Sequence, residues 1–153
     1  MAGTELLLDT CVYVDVLQGR TPASVDQLLA ARTVNHSTIC LAEMTNLFGR
    51  LDPAHSRTKR VLHEIRQTID DMPDHRLWSP SETAIGEAGM LAGLVSRLLG
   101  VQRNERSPLL NDASLYLQGL ERGWTVLTRN TRDFDCFDQI LPANRVLFYE
   151  QRC

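Results

Sequence analysis

Lysine is almost absent from this sequence. Lys59 is the single lysine among 153 residues, the other basic residues are arginines, and the net charge is −3. This charge excludes a protein that attracts nucleic acid over its whole surface. Arginine presents a planar fork that suits phosphate or carboxylate. A high genomic GC content produces the same bias, so the arginines alone identify no ligand.

Paired cysteines and long apolar runs are also lacking. The four cysteines are scattered without any CxxC pair, at Cys11, Cys40, Cys136 and Cys153. This spacing indicates neither a zinc site nor a disulfide framework. No apolar stretch approaches the roughly 20 residues that span a bilayer, and the first residues lack the basic flank of a signal peptide. We therefore expect a cytoplasmic protein.

The first apolar run of the chain ends at a carboxylate. Leu6, Leu7 and Leu8 follow one another without polar alternation, which is typical of a strand buried on both faces of a parallel sheet. Asp9 then lies at the carboxyl end of this strand, the sheet edge where α/β proteins bind ligands. An aspartate that caps the following helix would occupy the same position.

Strand and helix patterns alternate along the whole chain. Further strands are predicted at 34–37, 77–78, 124–128 and 145–149, and helices at 11–17, 22–31, 39–51, 53–70, 82–99 and 110–122, with a short turn or helix from 130. Residues 102–107 form a predicted arginine-rich loop. This order predicts one α/β domain over residues 1–153, with a mostly parallel sheet flanked by helices.

The helix predicted at 82–99 is rich in small residues. Its adjoining faces carry Ala84, Ala88 and Ala92 together with Gly89 and Gly93. Interior glycines lower helix propensity by about 1 kcal/mol each, so we expect another helix to pack closely against them. That helix lies either within the domain or across a two-fold axis.

Three more acids repeat the placement of Asp9. Glu43 follows the second strand, Asp112 lies early in the helix before the fourth, and Asp133 follows the fourth. Each also suits the N-terminal part of a helix, where the dipole or a capping box favours an acid. Together they would repel one another without a cation. Oxygen ligands without paired His or Cys favour Mg²⁺ or Mn²⁺ over zinc, and such ions serve phosphate chemistry.

The acidic motifs resemble those of PIN-domain nucleases. They are Leu8-Asp9-Thr10, Ala42-Glu43, Asn111-Asp112-Ala113, and Thr128-Arg129-Asn130 with Asp133-Phe134. Their spacing and the length of the chain are most similar to the VapC toxins of toxin–antitoxin pairs. The resemblance implies a three-layer PIN-like fold and an Mg²⁺- or Mn²⁺-dependent endoribonuclease that hydrolyses RNA with metal-activated water. It also implies inhibition by a cognate antitoxin and a homodimer.

The resemblance assigns roles residue by residue. The acidic quartet consists of Asp9, Glu43, Asp112 and Asp133, of which Asp9 and Asp112 would bind the metal. Thr10, Asn111, Thr128 and Asn130 match the accompanying polar positions. Asp135 and Asp138 compete with Asp133 for the fourth position. A helix directs Asp133 and Asp135 about 200° apart, so only one of them can face Asp9 and Asp112. We choose Asp133 because it lies in the first turn, nearest the strand end, and because Asp133-Phe134 matches the Asp-Phe pair of the family.

Two groups of basic residues are candidates for holding RNA phosphates. Arg57, Lys59, Arg60 and Arg66 lie on one predicted helix, where a solvated face is an equal alternative, and Arg103 and Arg106 lie in the predicted loop. A silent PIN-like binding module remains an alternative function. An aspartyl-phosphate phosphatase is a weaker alternative, because that class typically has a second Asp where this chain has Cys11.

Overall fold

A five-stranded parallel sheet lies at the centre of the fold. The computed structural model describes residues 3–153. Within them the strands are β1 (Leu6–Leu8), β2 (Val34–Ser37), β3 (Leu77–Trp78), β4 (Thr125–Thr128) and β5 (Val146–Phe148). The helices are α1 (Thr10–Leu17), α2 (Ala23–Ala31), α3 (Thr38–Arg50), α4 (Thr58–Asp70), α5 (Glu82–Leu99), α6 (Arg106–Arg122) and α7 (Thr131–Ile140). The predicted α/β fold with helices flanking a parallel sheet is confirmed.

The strand order is β3-β2-β1-β4-β5, so β1 lies in the middle. Leu7 of β1 is in register with Asn35 of β2 on one side and with Val126 of β4 on the other. The three leucines of β1 are at most 5% exposed, as their unbroken apolar run predicted. From β1 the chain first adds β2 and β3 on one side, and it then crosses to the other side of β1 to add β4 and β5. The point where this direction reverses, outside the carboxyl ends of β1 and β4, is where such sheets bind ligands.

Three predicted helix starts are wrong. α4 begins at Thr58 instead of residue 53, because the Asp52 carboxylate accepts from the Ala54 N–H at 2.9 Å and the Asp52 carbonyl accepts from the Thr58 hydroxyl at 2.7 Å. These bonds close a separate turn. α2 begins at Ala23 after Pro22, and the Thr21 hydroxyl donates to Asp26 rather than capping the helix.

The third difference concerns the predicted arginine-rich loop. A 3-10 turn covers Arg103–Glu105, and α6 then begins at Arg106 instead of residue 110. Pro108 is the third residue of α6, where a missing N–H costs no helical hydrogen bond. The loop is therefore helical, and it leads directly to Asp112.

The alanines and glycines of α5 lie on different faces. Ala84, Ala88 and Ala92 are buried, and α5 packs on α6. By contrast, a Cβ added at Gly89 or Gly93 would meet nothing within 4 Å in the described part of the chain. The expectation that these glycines admit a close helix inside the domain is therefore wrong.

A close approach occurs instead at one glycine of α6. A Cβ added at Gly119 would lie 2.8 Å from Val126 Cγ2 and 4.0 Å from Leu7 Cδ2. The absence of a side chain there lets α6 lie directly on β1 and β4. This contact fixes the helix that carries Asp112 against the strands that lead to the other site residues.

Candidate active site

Asp9 links the ends of the two central strands. It follows β1 as the N-cap of α1, and one carboxylate oxygen accepts from the Thr10 N–H at 2.7 Å. The other oxygen accepts from the Thr128 hydroxyl at 2.6 Å and from the Cys11 thiol at 3.5 Å. Both positions that the sequence suggested for Asp9 are therefore found together. It caps a helix and it lies at the switch point of the sheet.

Glu43 reaches the same edge from the second turn of α3. The Thr10 hydroxyl donates to a Glu43 carboxylate oxygen at 2.8 Å. Burial raises the pKa of Glu43, and the Thr10 and Asn111 side chains act in the opposite direction by hydrogen bonding. Thr10 and Asn111 thus lie beside Glu43, as orienting groups of the carboxylate would.

Asn130 connects the remaining two acids. Its side-chain N–H group donates to Asp112 Oδ2 and to Asp133 Oδ2, both at 3.0 Å. Its own oxygen accepts from the Asp133 backbone N–H at 3.3 Å, which caps α7. The Asn130 N–H in turn donates to the Thr128 hydroxyl at 3.0 Å. One amide therefore holds two carboxylates side by side.

The competing acids of α7 point to other places. Asp135 is exposed and accepts from Gln139 at 2.7 Å. Asp138 accepts from the Tyr116 hydroxyl at 3.1 Å and from the Ala143 N–H at 3.1 Å. Among these three acids the structure brings Asp133 to Asp112, while Asp138 fixes the turn after α7.

Burial dominates the electrostatics of the quartet, and mutual repulsion adds to it at Asp112. Burial, followed by the charges of Asp9, Glu43 and Asp133, raises the pKa of Asp112 to about 9. Burial also raises the pKa of Asp9, against hydrogen bonds from Thr128, Thr10 and Cys11. Within residues 3–153, the quartet makes one ion pair, between Arg132 Nε and Asp133 at 3.9 Å. The protein therefore leaves most of this negative charge uncompensated.

The quartet can be tested for its fit to a divalent cation. No three acidic, histidine or cysteine side chains in residues 3–153 form a group that could hold a metal ion as placed. The donor chemistry does suit Mg²⁺ or Mn²⁺, because the groups that meet here are carboxylate and amide oxygens. The raised pKa of Asp112 points the same way, since burial and the charges of the other three acids cause it and a cation would offset both.

The sequence analysis did not predict an ion pair behind the site, in which the acid is buried and the arginine is 38% exposed. Asp15 of α1 is 0% exposed, and Arg129 donates to both of its oxygens, at 2.8 and 3.2 Å. The Tyr149 hydroxyl and the Gln151 amide donate to it as well, each at 2.7 Å. This pair holds the Arg129 side chain in place, and Arg129 is the residue between the site residues Thr128 and Asn130 in the chain. The sequence signal that could have indicated a buried acid is Asp15 itself, which lies between Val14 and Val16 in a predicted helix.

Two clefts open beside the quartet on either side of Pro108. One, of about 220 Å³, is lined by residues that include Asp112, Asn130 and Asp133. The other, of about 350 Å³, is lined by residues that include Glu43 and Asn111. Arg103 and Arg106 are exposed and line neither cleft. The basic residues of α4 and the turn before it are exposed as well and line neither cleft, namely Arg57, Lys59, Arg60 and Arg66.

Comparison with known proteins finds similarity in structure. No protein-family model matches the sequence. A search of curated proteins gave no match either. Among solved structures, the chain is similar to one in VapBC2 of Rickettsia felis bound to a promoter DNA fragment. The TM-score is 0.60 at 16% identity, over 95% of this chain and 99% of that one.

Two further solved structures give the same picture. A chain of FitAcB from Neisseria gonorrhoeae aligns with a TM-score of 0.61 at 23% identity, over 87% of this chain and 93% of that one. A chain of DNA-bound VapBC from Salmonella typhimurium aligns with a TM-score of 0.59 at 19% identity, over 95% and 98%. The chain therefore has the fold found in VapBC-type toxin–antitoxin complexes. The resemblance to VapC-type PIN domains is confirmed for the fold.

Proposed function

We propose that this protein is an Mg²⁺- or Mn²⁺-dependent endoribonuclease and the toxin of a type II toxin–antitoxin pair. The observation that carries the proposal is the quartet itself. Asp9, Glu43, Asp112 and Asp133 reach one edge of the sheet from four elements, and the pKa of Asp112 is raised to about 9 by burial and by the other three acids. A cation would relieve the repulsion within a cluster of this kind, and oxygen ligands select a hard one.

Each residue of the site has a task that follows from its contacts. Asp9 and Asp112 would hold the ion, and Thr128 fixes the orientation of Asp9 by its 2.6 Å hydrogen bond. Asn130 keeps Asp112 and Asp133 together. Thr10 and Asn111 orient Glu43, whose raised pKa suits a group that exchanges a proton. A bound divalent ion would supply charge neutralisation and activation of water for phosphodiester hydrolysis.

The proposal is tested by cleavage of RNA. Purified wild-type protein and Asp112→Asn are incubated with cellular RNA in Mg²⁺, in Mn²⁺ and in EDTA, and the new RNA ends are sequenced. We expect discrete ends with wild type in either metal, none in EDTA, and at least 100-fold fewer with Asp112→Asn, the loss expected when a transition-state contact is removed. The matched control is Asp135→Asn, which removes the same charge from an exposed position.

The same experiment separates the alternative functions. Intact RNA with folded wild type in both metals would favour a silent PIN-like binding module. A phosphatase would instead transfer the phosphoryl group of a small phosphoester to Asp9, and water would then hydrolyse this intermediate and release phosphate. Both oxygens of Asp9 accept hydrogen bonds, from Thr10 and from Thr128, which suits an oriented ligand better than a free nucleophile.

The proposed partners are RNA, an antitoxin and a second copy of this chain. An antitoxin partner has support from the similar structures, which are VapBC2, FitAcB and VapBC assemblies. A homodimer has support from the outer face of α5, where Met90 is 77% exposed beside Gly89 and Gly93. Light scattering at micromolar concentration should give the mass of a dimer, and a monomer would contradict this.

Length and polarity decide whether a helix can cross a membrane. Within residues 3–153, every helix is too short or too polar to span a bilayer.

A further inference from the structure

The larger of the two clefts beside the quartet has a polar wall of its own. Its volume is about 350 Å³, and it lies between α3 and the start of α6. Its lining residues are Ala42, Glu43, Asn46, Arg50, Ser107, Pro108 and Asn111. Glu43 belongs to the proposed active site, whereas Asn46 and Arg50 have no role in it. The cleft is therefore a polar extension of the site in one direction.

Three polar residues of α3 follow one another along this wall. Glu43, Asn46 and Arg50 are three and four residues apart, which places them on one face of a helix. Seven residues separate the carboxylate from the arginine, roughly 10 Å along the helix axis. A strand held at the quartet would therefore contact Glu43 and Arg50 with different nucleotides.

Arg50 has an uncompensated charge. It is exposed, and no carboxylate in residues 3–153 pairs with it within 4 Å. The arginine that lines the smaller cleft, Arg132, lies 3.7 Å from Glu105 and 3.9 Å from Asp133. Arg50 is thus the arginine next to the quartet that is free to bind an anion, and its planar fork suits a phosphate.

We propose that the cleft is a nucleotide-binding subsite, in which Arg50 binds an RNA phosphate that flanks the scissile one. The Asn46 and Asn111 amides supply donors and acceptors for the ribose or base of that nucleotide. The proposal rests on the proposed ribonuclease function, because the scissile phosphate at the quartet sets the direction of the strand. A polar wall with one free cation suits a phosphodiester chain, whose charge repeats at every nucleotide.

Binding is measured without cleavage. Every protein carries Asp112→Asn, and the probe is a fluorescein-labelled single-stranded RNA of mixed sequence, about 20 nucleotides long. Fluorescence anisotropy gives the Kd at several KCl concentrations. The slope of log K against log salt is negative, and the loss of one phosphate contact on a single strand makes it shallower by about 0.7. Adding Arg50→Ala should produce this change and weaken binding roughly three- to tenfold.

Two further variants control the result. Arg50→Lys keeps the charge but loses the fork, so the slope should remain as it was while affinity recovers in part. Arg97→Ala removes an exposed arginine from α5, which lines neither cleft, and should bind as its parent does. In proteins with Asp112 restored, Arg50→Ala should raise KM for RNA cleavage more than it lowers kcat.

The outcomes distinguish this proposal from the proposed function. If wild type cleaves RNA but Arg50→Ala leaves the salt slope and KM unchanged, the subsite is wrong and the nuclease stands. If the wild-type chain neither binds nor cleaves RNA, both are wrong. An unchanged RNA slope together with loss of binding to a labelled poly-glutamate peptide would assign the cleft to an acidic protein segment instead.

Discussion

Two buried aspartates, one at the N-cap of α1 and one within the helix, have pKa values shifted in opposite directions. Asp15 is 0% exposed and receives both prongs of Arg129 together with the Tyr149 hydroxyl and the Gln151 amide. Burial acts to raise the pKa of Asp15, but these hydrogen bonds outweigh it and the pKa falls below the usual value. Asp9 is 5% exposed, and burial raises its pKa in spite of its neutral hydrogen-bond donors.

The difference shows that this chain can neutralise a buried carboxylate with its own residues. It does so for Asp15, six residues from Asp9, and not for Asp9 or for Asp112. Arg129 contributes to the environment of Asp9 at longer range, but it pairs with Asp15. Asp15 is therefore a structural anchor, whereas Asp9 has no cation of its own within residues 3–153, which is what the proposed metal site requires.

The largest effect on stability is expected at the anchor. Asp15→Asn should lower the free energy of unfolding by about 2 kcal/mol, because hydrogen bonds to a buried charge are lost while Arg129, which is 38% exposed, stays partly solvated. Urea denaturation measures this, with Glu87→Gln on the exposed face of α5 as the control. The lowered pKa means that the charge of Asp15 stabilises above the unfolded value of about 3.9 and is lost as pH falls through the folded value. The gap between wild type and Asp15→Asn should thus narrow below about pH 4, and a constant gap would contradict it.

The second prediction distinguishes two acids of α7. Asp133→Asn should reduce RNA cleavage at least tenfold, a typical loss for a group that supports a metal site, since Asp133 shares Asn130 with Asp112. Asp135→Asn should cleave as wild type does, because Asp135 is exposed and bonded to Gln139. The assay is the same metal-dependent cleavage of RNA. Normal cleavage by Asp133→Asn with none by Asp135→Asn would reverse the assignment and leave the nuclease proposal intact.

The third prediction concerns the stability of the metal-free protein. Asp112→Asn should raise the free energy of unfolding at pH 7 by roughly 1–2 kcal/mol, because folding of wild type must protonate Asp112, which burial and three other acids keep from ionising. The folded pKa of about 9 lies above the unfolded value, so wild type loses stability as pH rises between about 4 and 9. Asparagine does not titrate, and the advantage of the variant should therefore grow from pH 5 to pH 8. Thermal unfolding in EDTA measures it, and an advantage that shrinks with pH would refute this reading.

The smallest effect is the response to metal. Mg²⁺ at about ten times its Kd should raise the free energy of unfolding of wild type by about 1.4 kcal/mol, which corresponds to a Tm increase of roughly 3–6 °C for a domain of this size. Asp112→Asn should gain less, because it lacks one of the two expected ligands. Mn²⁺ should act in the same direction. Equal Tm increases in the two proteins would show that the ion binds elsewhere.

The sequence predicted the part of the site that depends on strand ends. An apolar strand followed by an acid is a local pattern, so Asp9, Glu43 and Asp133 could be assigned to one sheet edge, where the structure brings them together. The Asp15–Arg129 pair joins residues 114 apart, and neither residue has a local feature that specifies the other. Arg50 was missed for a similar reason, since its importance lies in a cleft that two helices form together.

The helix starts failed where local bonds competed. The Asp52-Pro53 dipeptide has the composition of a helix start, yet the Asp52 backbone and side chain close a turn before α4. In α5 the glycines were expected to pack closely, but the alanines face the core and the glycines face outward. Propensity and periodicity describe one helix at a time, whereas the orientation of a face depends on its neighbours.

The strand order has a consequence for protein synthesis. Asp9 and Thr128 are hydrogen-bonded but are 119 residues apart in the chain. The second edge of β1 is paired only when β4 has been synthesised. A ribosome that has translated through α5 has therefore made β1, β2 and β3 but not Thr128, the distant residue that orients Asp9. Under the proposed function, the nascent chain could not cleave RNA at this stage, because Asp112 and Asp133 have not yet been made. The activity would then begin only after the last third of the chain has started to fold.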